Sequence, residues 1–174
     1  MGKCPDKPQA PKYALIERER RWLVKPSRPS LVGRPFVLIQ DRYLVGTRLR
    51  LRKLIPSDGA GATYKLTKKY HSEDSLARPI TTQYLDESEF SVFSTLDGAL
   101  LTKRRYKVDG YSIDCFEGPL AGLELAELEA PDEASLNKLS LPDWIGTEIS
   151  RDVQFEGNTL AQLNSLEAIN WPSS

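Results

Sequence analysis

Residues 16–24 read Ile16-Glu17-Arg18-Glu19-Arg20-Arg21-Trp22-Leu23-Val24. Side chains on an extended strand alternate faces with period two, so Glu17, Glu19 and Arg21 share one face. Outward from this stretch the same alternation recurs. The spacing predicts a strand over Tyr13 to Val24 and another over Tyr43 to Leu54, which carries Arg48, Arg50 and Arg52 on one face and Leu49 and Leu51 on the other. A strand over Ala62 to Lys69 aligns Lys65, Thr67 and Lys69, and one over Leu101 to Val108 aligns Lys103 and Arg105. Tyr111 to Phe116 and Leu123 to Ala130 continue the series, the last aligning Glu127 and Glu129.

One strand with a charged face is ordinarily a half-solvated strand. Repetition changes the reading. Water-facing positions need only polarity, yet here they are nearly all Arg, Lys and Glu, with both signs at strict i, i+2 spacing. If these faces converge inside a closed barrel, the buried ions need partners. A polyanion with divalent metal satisfies both signs: Arg and Lys take phosphate oxygens, and carboxylates hold a hard, oxygen-seeking Mg²⁺ or Mn²⁺. The opposite faces, with Leu49, Leu51, Leu66, Ile113, Leu125 and Leu128, then pack under helices.

Three helices are predicted. Asp86 with Glu89 forms a capping-box start to a helix reaching about Leu96. Pro131-Asp132-Glu133 begins a short helix ending near Leu139, and Asn158 caps a last helix through Ile169. Many strands and few helices give an α+β class with a dominant antiparallel sheet.

The bulk numbers bound the function. The chain has 174 residues, 40% hydrophobic and 28% charged, with 24 Lys plus Arg against 24 Asp plus Glu. Residues 1–12 read as a flexible tail and residues 13–174 as a single domain. Zero formal net charge argues against a nucleic-acid or membrane partner. Cys4 and Cys115 have neither metal-ligand nor disulfide spacing, which suits a reducing, cytoplasmic setting. The one histidine, His71, sits in a polar stretch and reads as a surface residue. No apolar run is long enough for a membrane span. A homodimer is compatible with this reading, and nothing in the sequence requires one. Trp22, Trp144 and Trp171 read as packing residues.

Seven segments in order resemble the CYTH / triphosphate tunnel metalloenzyme family, in its short bacterial form. Glu17-Arg18-Glu19-Arg20-Arg21 resembles the opening ExExK signature. Tyr43-Leu44 and Arg48-Leu49-Arg50-Leu51-Arg52 resemble the basic second motif, and Leu66-Thr67-Lys68-Lys69 the T-x-K strand. Thr102-Lys103-Arg104-Arg105-Tyr106 resembles K-x-R-Y. Asp114 to Leu123 resembles D-x-F-x-G-x-L-x-G-L, continued by Ala126-Glu127-Leu128-Glu129. Trp144 to Ile149 resembles W-I-G-x-E-V. The resemblance covers about residues 13 to 162 and implies an eight-stranded antiparallel tunnel with helices packed outside.

It also implies roles. Glu17, Glu19, Glu127, Glu129 and Glu148 are the metal candidates. Arg21, Arg48, Arg50, Arg52, Lys65, Lys69, Lys103 and Arg105 are the phosphate clamps. Arg21 and Tyr43 match a lysine and a tyrosine proposed in short bacterial members to position the attacking water, and Asp114 is either a site residue or a turn former. The chain departs from the family at Arg21, where the signature has lysine; at Ile80-Thr81-Thr82-Gln83-Tyr84, where two carboxylates are usual; and at Asp152-Val153-Gln154-Phe155, which lacks a basic residue. Arginine can orient or clamp but cannot accept a proton.

The implied function is metal-dependent hydrolysis of inorganic triphosphate. The alternatives are a catalytically weakened module that binds triphosphate, polyphosphate or a nucleotide and, third, an adenylate cyclase, for which no adenine pocket is legible.

Overall fold

The structure, a computed structural model, describes residues 11–172. Of the expected tail, residues 1–10 lie outside the described residues, as does Cys4. Nine strands follow in chain order: β1 (Leu15–Val24), β2 (Phe36–Leu44), β3 (Leu49–Pro56), β4 (Thr63–Lys69), β5 (Ala77–Leu85), β6 (Gly98–Val108), β7 (Tyr111–Phe116), β8 (Glu124–Glu129) and β9 (Ile145–Glu148). They form one sheet in the order β5-β4-β3-β2-β6-β7-β8-β1-β9, and a further pairing of β5 with β1 closes eight of them into a barrel. Every ladder is antiparallel.

Closure is made at β1. Leu15–Arg18 pair with β5, and Glu19–Leu23 pair with β8. Further along β1, Trp22 and Val24 pair with β9, which lies outside the closed ring.

The structure divides the strand predicted over 43–54. Tyr43 lies near the end of β2, and Arg50 and Arg52 lie on β3. Between them Gly46 turns the chain with φ +70, a backbone shape that L side chains rarely adopt. Register then sets Tyr43 opposite Arg50 and Asp41 opposite Arg52, so all four share the inner face.

The helices are short. α1 (Glu87–Ser94) has the full capping box: Asp86 Oδ1 accepts from Glu89 N at 2.8 Å, and Glu89 Oε2 accepts from Asp86 N at 2.9 Å. Its Phe90 stacks on Tyr64 of β4, on the outside of the barrel, with ring centroids 4.7 Å apart. α2 (Glu133–Asn137) starts at the Asp132 cap. The last helix differs from expectation. α3 spans only Gly157–Leu160, and a separate 3-10 turn over Leu166–Ala168 is capped by Ser165. The Asn164-Ser165 pair breaks the helix that the apolar spacing suggests, because Ser165 accepts from Glu167 N instead.

Two apolar clusters hold the barrel. Outside, Trp22, Tyr111, Ile113, Ala126 and Trp144 pack across β1, β7, β8 and the chain leading into β9. Inside, Leu101, Phe116 and Leu125 pack with Phe155, Leu160 and Ile169 of the C-terminal stretch, which fills this part of the interior. Leu125 thus faces inward with Glu127 rather than packing outside, since residues two apart share a face.

Candidate active site

The inner faces meet in a cavity of about 570 Å³. Glu17, Glu19 and Arg21 reach it from β1, Arg50 and Arg52 from β3, Lys69 from β4, Lys103 and Arg105 from β6, and Glu127 and Glu129 from β8. Tyr43 and the exposed Arg48 also line it, as does His71, exposed in the loop after β4. Eight cationic side chains and six carboxylates make up the charged lining.

The four carboxylates on β1 and β8 differ in their surroundings. Glu17, Glu19 and Glu129 each place an oxygen within 4.8 Å of the other two. Burial, together with Glu127 and Glu17 nearby, holds the Glu19 carboxyl above its usual range despite Lys69. This all-oxygen donor set with excess negative charge fits a hard divalent cation. Glu127 is engaged differently: it accepts from Arg105, and although burial opposes ionisation, Arg105 and Lys103 outweigh it and lower its pKa.

Each basic row is held by a buried carboxylate on the neighbouring strand. Asp114 is fully buried and accepts from Lys103 Nζ and from Arg105 Nε and Nη2, the latter two at 2.6 Å. It is not among the lining residues; it braces the two that are. Asp41 does the same for β3. It accepts from Arg52 Nε at 2.6 Å and Nη2 at 2.7 Å, with Arg50 Nε at 3.9 Å. Burial would raise the Asp41 pKa, but Arg52 and Arg50 outweigh it and hold it at about 2. Arg50 Nε is buried without a hydrogen-bond partner.

At the other side, Lys69 Nζ donates to Glu17 at 2.5 Å and lies 3.7 Å from Glu19. Arg21 Nη1 donates to the Phe155 carbonyl at 2.7 Å, and its Nε is 3.9 Å from Glu19. Burial and Asp41 push the Tyr43 phenol up to about 12, so it stays protonated at neutral pH.

Two expected site residues lie elsewhere. Glu148 is opposite Trp22 on the outer face, because β9 is outside the ring; it accepts from Arg20 and from Ser150. Lys65 shares register with Arg52, but it is not among the lining residues, and its Nζ lies 4.8 Å from the Tyr84 ring centroid. Where carboxylates were expected on β5, Thr82 is paired with Thr67, Oγ1 to Oγ1 at 3.1 Å. Asp41 was not anticipated; the apolar run Val37-Leu38-Ile39 before it was the available signal for β2.

The closed antiparallel barrel with a charged interior has known relatives. Two solved structures of NE1496, one described as a hypothetical protein and one as an inorganic triphosphatase, align with TM-scores of 0.54 each. They are 24% and 23% identical and cover 83% and 84% of this chain, and 97% and 95% of theirs. The chain therefore shares the closed antiparallel tunnel fold of these structures. By sequence, the inorganic triphosphatase of Acetivibrio thermocellus is 37% identical over 67 residues, covering 36% of this chain. The match spans 42% of that relative's length. No family model matches the chain. Among the described residues no helix is long and apolar enough to cross a membrane.

Proposed function

We propose that this chain is a divalent-metal-dependent triphosphatase that hydrolyses inorganic triphosphate inside its barrel. The observation that carries this is the meeting, in one cavity, of braced basic rows (Arg50 with Arg52, Lys103 with Arg105) and the carboxylate cluster Glu17, Glu19 and Glu129. The partial match to an inorganic triphosphatase adds support.

The basic rows bind and orient the anion. Their bracing carboxylates hold them in place before substrate arrives, so little reorganisation remains for the transition state. Arg50 turns its guanidinium into the cavity as a further phosphate donor. Glu17, Glu19 and Glu129 would hold Mg²⁺ or Mn²⁺, which would supply Lewis-acid polarisation of the phosphoryl group. Arg21 and Tyr43 orient that water as hydrogen-bonding groups; neither is a base at neutral pH. Apolar residues at one side of the cavity, Leu101, Phe116 and Leu125, limit bulk water. The protein works in the cytoplasm.

Phosphate release from inorganic triphosphate, with and without Mg²⁺ or Mn²⁺, tests this. Metal-dependent turnover abolished by chelation is expected. Tight binding without turnover would favour the binding-module alternative.

A further inference from the structure

Three cavity residues are held by one tripeptide that belongs to no barrel strand. Phe155 presents its carbonyl to Arg21 Nη1 at 2.7 Å, and Glu156 Oε1 accepts from Arg78 Nη2 at 2.7 Å. At Gly157 an added Cβ would lie 1.9 Å from the Tyr43 hydroxyl oxygen and 2.9 Å from its Cζ. We propose that the segment Phe155-Glu156-Gly157 is a working part of the reaction site, with Gly157 a positioning residue that seats Tyr43. This rests on the triphosphatase reading above.

Glycine is usually kept for a left-handed backbone, but Gly157 opens α3 without one. A residue with a side chain would serve its dihedrals better. What excludes such a residue is the Tyr43 hydroxyl, which occupies the space where Cβ would go. The backbone therefore acts as a wall that fixes the ring's position along the cavity.

The same segment fixes Arg21. Phe155 is 1% exposed and locked in the inner apolar cluster, so its carbonyl is a rigid acceptor. It takes one of the five guanidinium donors and leaves others for the cavity. Both groups assigned to the attacking water are thus set by neighbouring backbone positions, which fixes their separation from each other. The Arg78–Glu156 pair ties the segment to β5 between them.

A double-mutant cycle tests this with Gly157→Ala, Tyr43→Phe and the pair together. Turnover of inorganic triphosphate with Mg²⁺ gives kcat and KM, and melting without ligand gives a readout independent of activity. A misplacement of about 1 Å can cost on the order of 100-fold in rate. Gly157→Ala should therefore lower kcat by roughly 10- to 100-fold, with KM moved no more than about threefold, because the basic rows are untouched. Tyr43→Phe removes the atom at 1.9 Å, so the double variant should be no slower than the slower single variant. Gly157→Ala should also lower the melting temperature less in the Phe background.

Losses that multiply, a KM-only change, or equal melting shifts in both backgrounds would overturn the positioning role. A wild-type chain that binds triphosphate without hydrolysing it would sink the function proposed above. The melting cycle would then still report whether Gly157 seats Tyr43.

Discussion

Asp41 accepts from both Nε and Nη2 of Arg52, at 2.6 and 2.7 Å, from a position 2% exposed on the inner face of the barrel. A buried pair of this kind holds geometry, and removing one partner leaves the other charge uncompensated. It also links stability to acid. The Asp41 pKa is held at about 2 against an ordinary 3.8. Its contribution is therefore complete above the ordinary value and is lost as pH falls through the folded one. That window, about pH 4 to 2, should carry on the order of 2 kcal/mol. Denaturant melts across it should show a smaller loss for Asp41→Asn than for wild type. Parallel pH profiles would mean that the pair is not coupled to folding.

Glu17, Glu19 and Glu129 predict a metal phenotype. Replacing Glu129 or Glu17 by Gln should raise the Mg²⁺ concentration needed for half-maximal turnover by roughly tenfold or more, since even indirect ligand partners cost that much. Glu148→Gln is the control. It weakens a partly exposed pair with Arg20 and can still accept from Ser150, so stability should move by no more than about 1 kcal/mol and metal dependence not at all. A metal requirement that responds to Glu148 and not to Glu129 would place the cation elsewhere.

Arg21→Lys keeps the charge but loses the planar fork that reaches Phe155. If the residue orients water, triphosphate affinity should stay within about threefold and kcat should fall roughly tenfold. A faster lysine variant would show instead that the position wants a group able to give up its proton.

Much of this was legible in the sequence because period-two alternation reports faces directly. Glu17 with Glu19, and Lys103 with Arg105, stand where their spacing put them. Alternation says which face a side chain takes, not how deep along the barrel it sits. Lys65 has the right register and still lies against Tyr84. It also cannot say whether a strand belongs to the ring: Glu148 carries a matching motif, but β9 pairs only with β1, outside the barrel. Asp41 was hidden for another reason. Its partner Arg52 is 11 residues away, and only the β2–β3 register brings the two together. The wall made by Phe155 and Gly157 is a backbone contact, which residue spacing does not record.

Removing apolar contacts from the C-terminal stretch should loosen the site as well as the fold. Phe155→Ala in the inner cluster should cost about 3 to 5 kcal/mol. Below its melting temperature the variant should keep triphosphate-induced stabilisation while losing turnover, because its damage falls on Arg21 rather than on the basic rows. Unchanged turnover in the folded variant would separate the C-terminal stretch from the chemistry.

In the proposed function the barrel interior holds a triphosphate between its basic rows and its carboxylates. Calorimetric titration of inorganic triphosphate into the purified chain, with Mg²⁺ present, tests it most directly. One anion should bind per chain, with affinity reduced by roughly 10- to 100-fold in Arg52→Ala or Arg105→Ala, the loss typical of a charged hydrogen-bond partner. Absence of binding at any Mg²⁺ concentration, or binding indifferent to both substitutions, would contradict it.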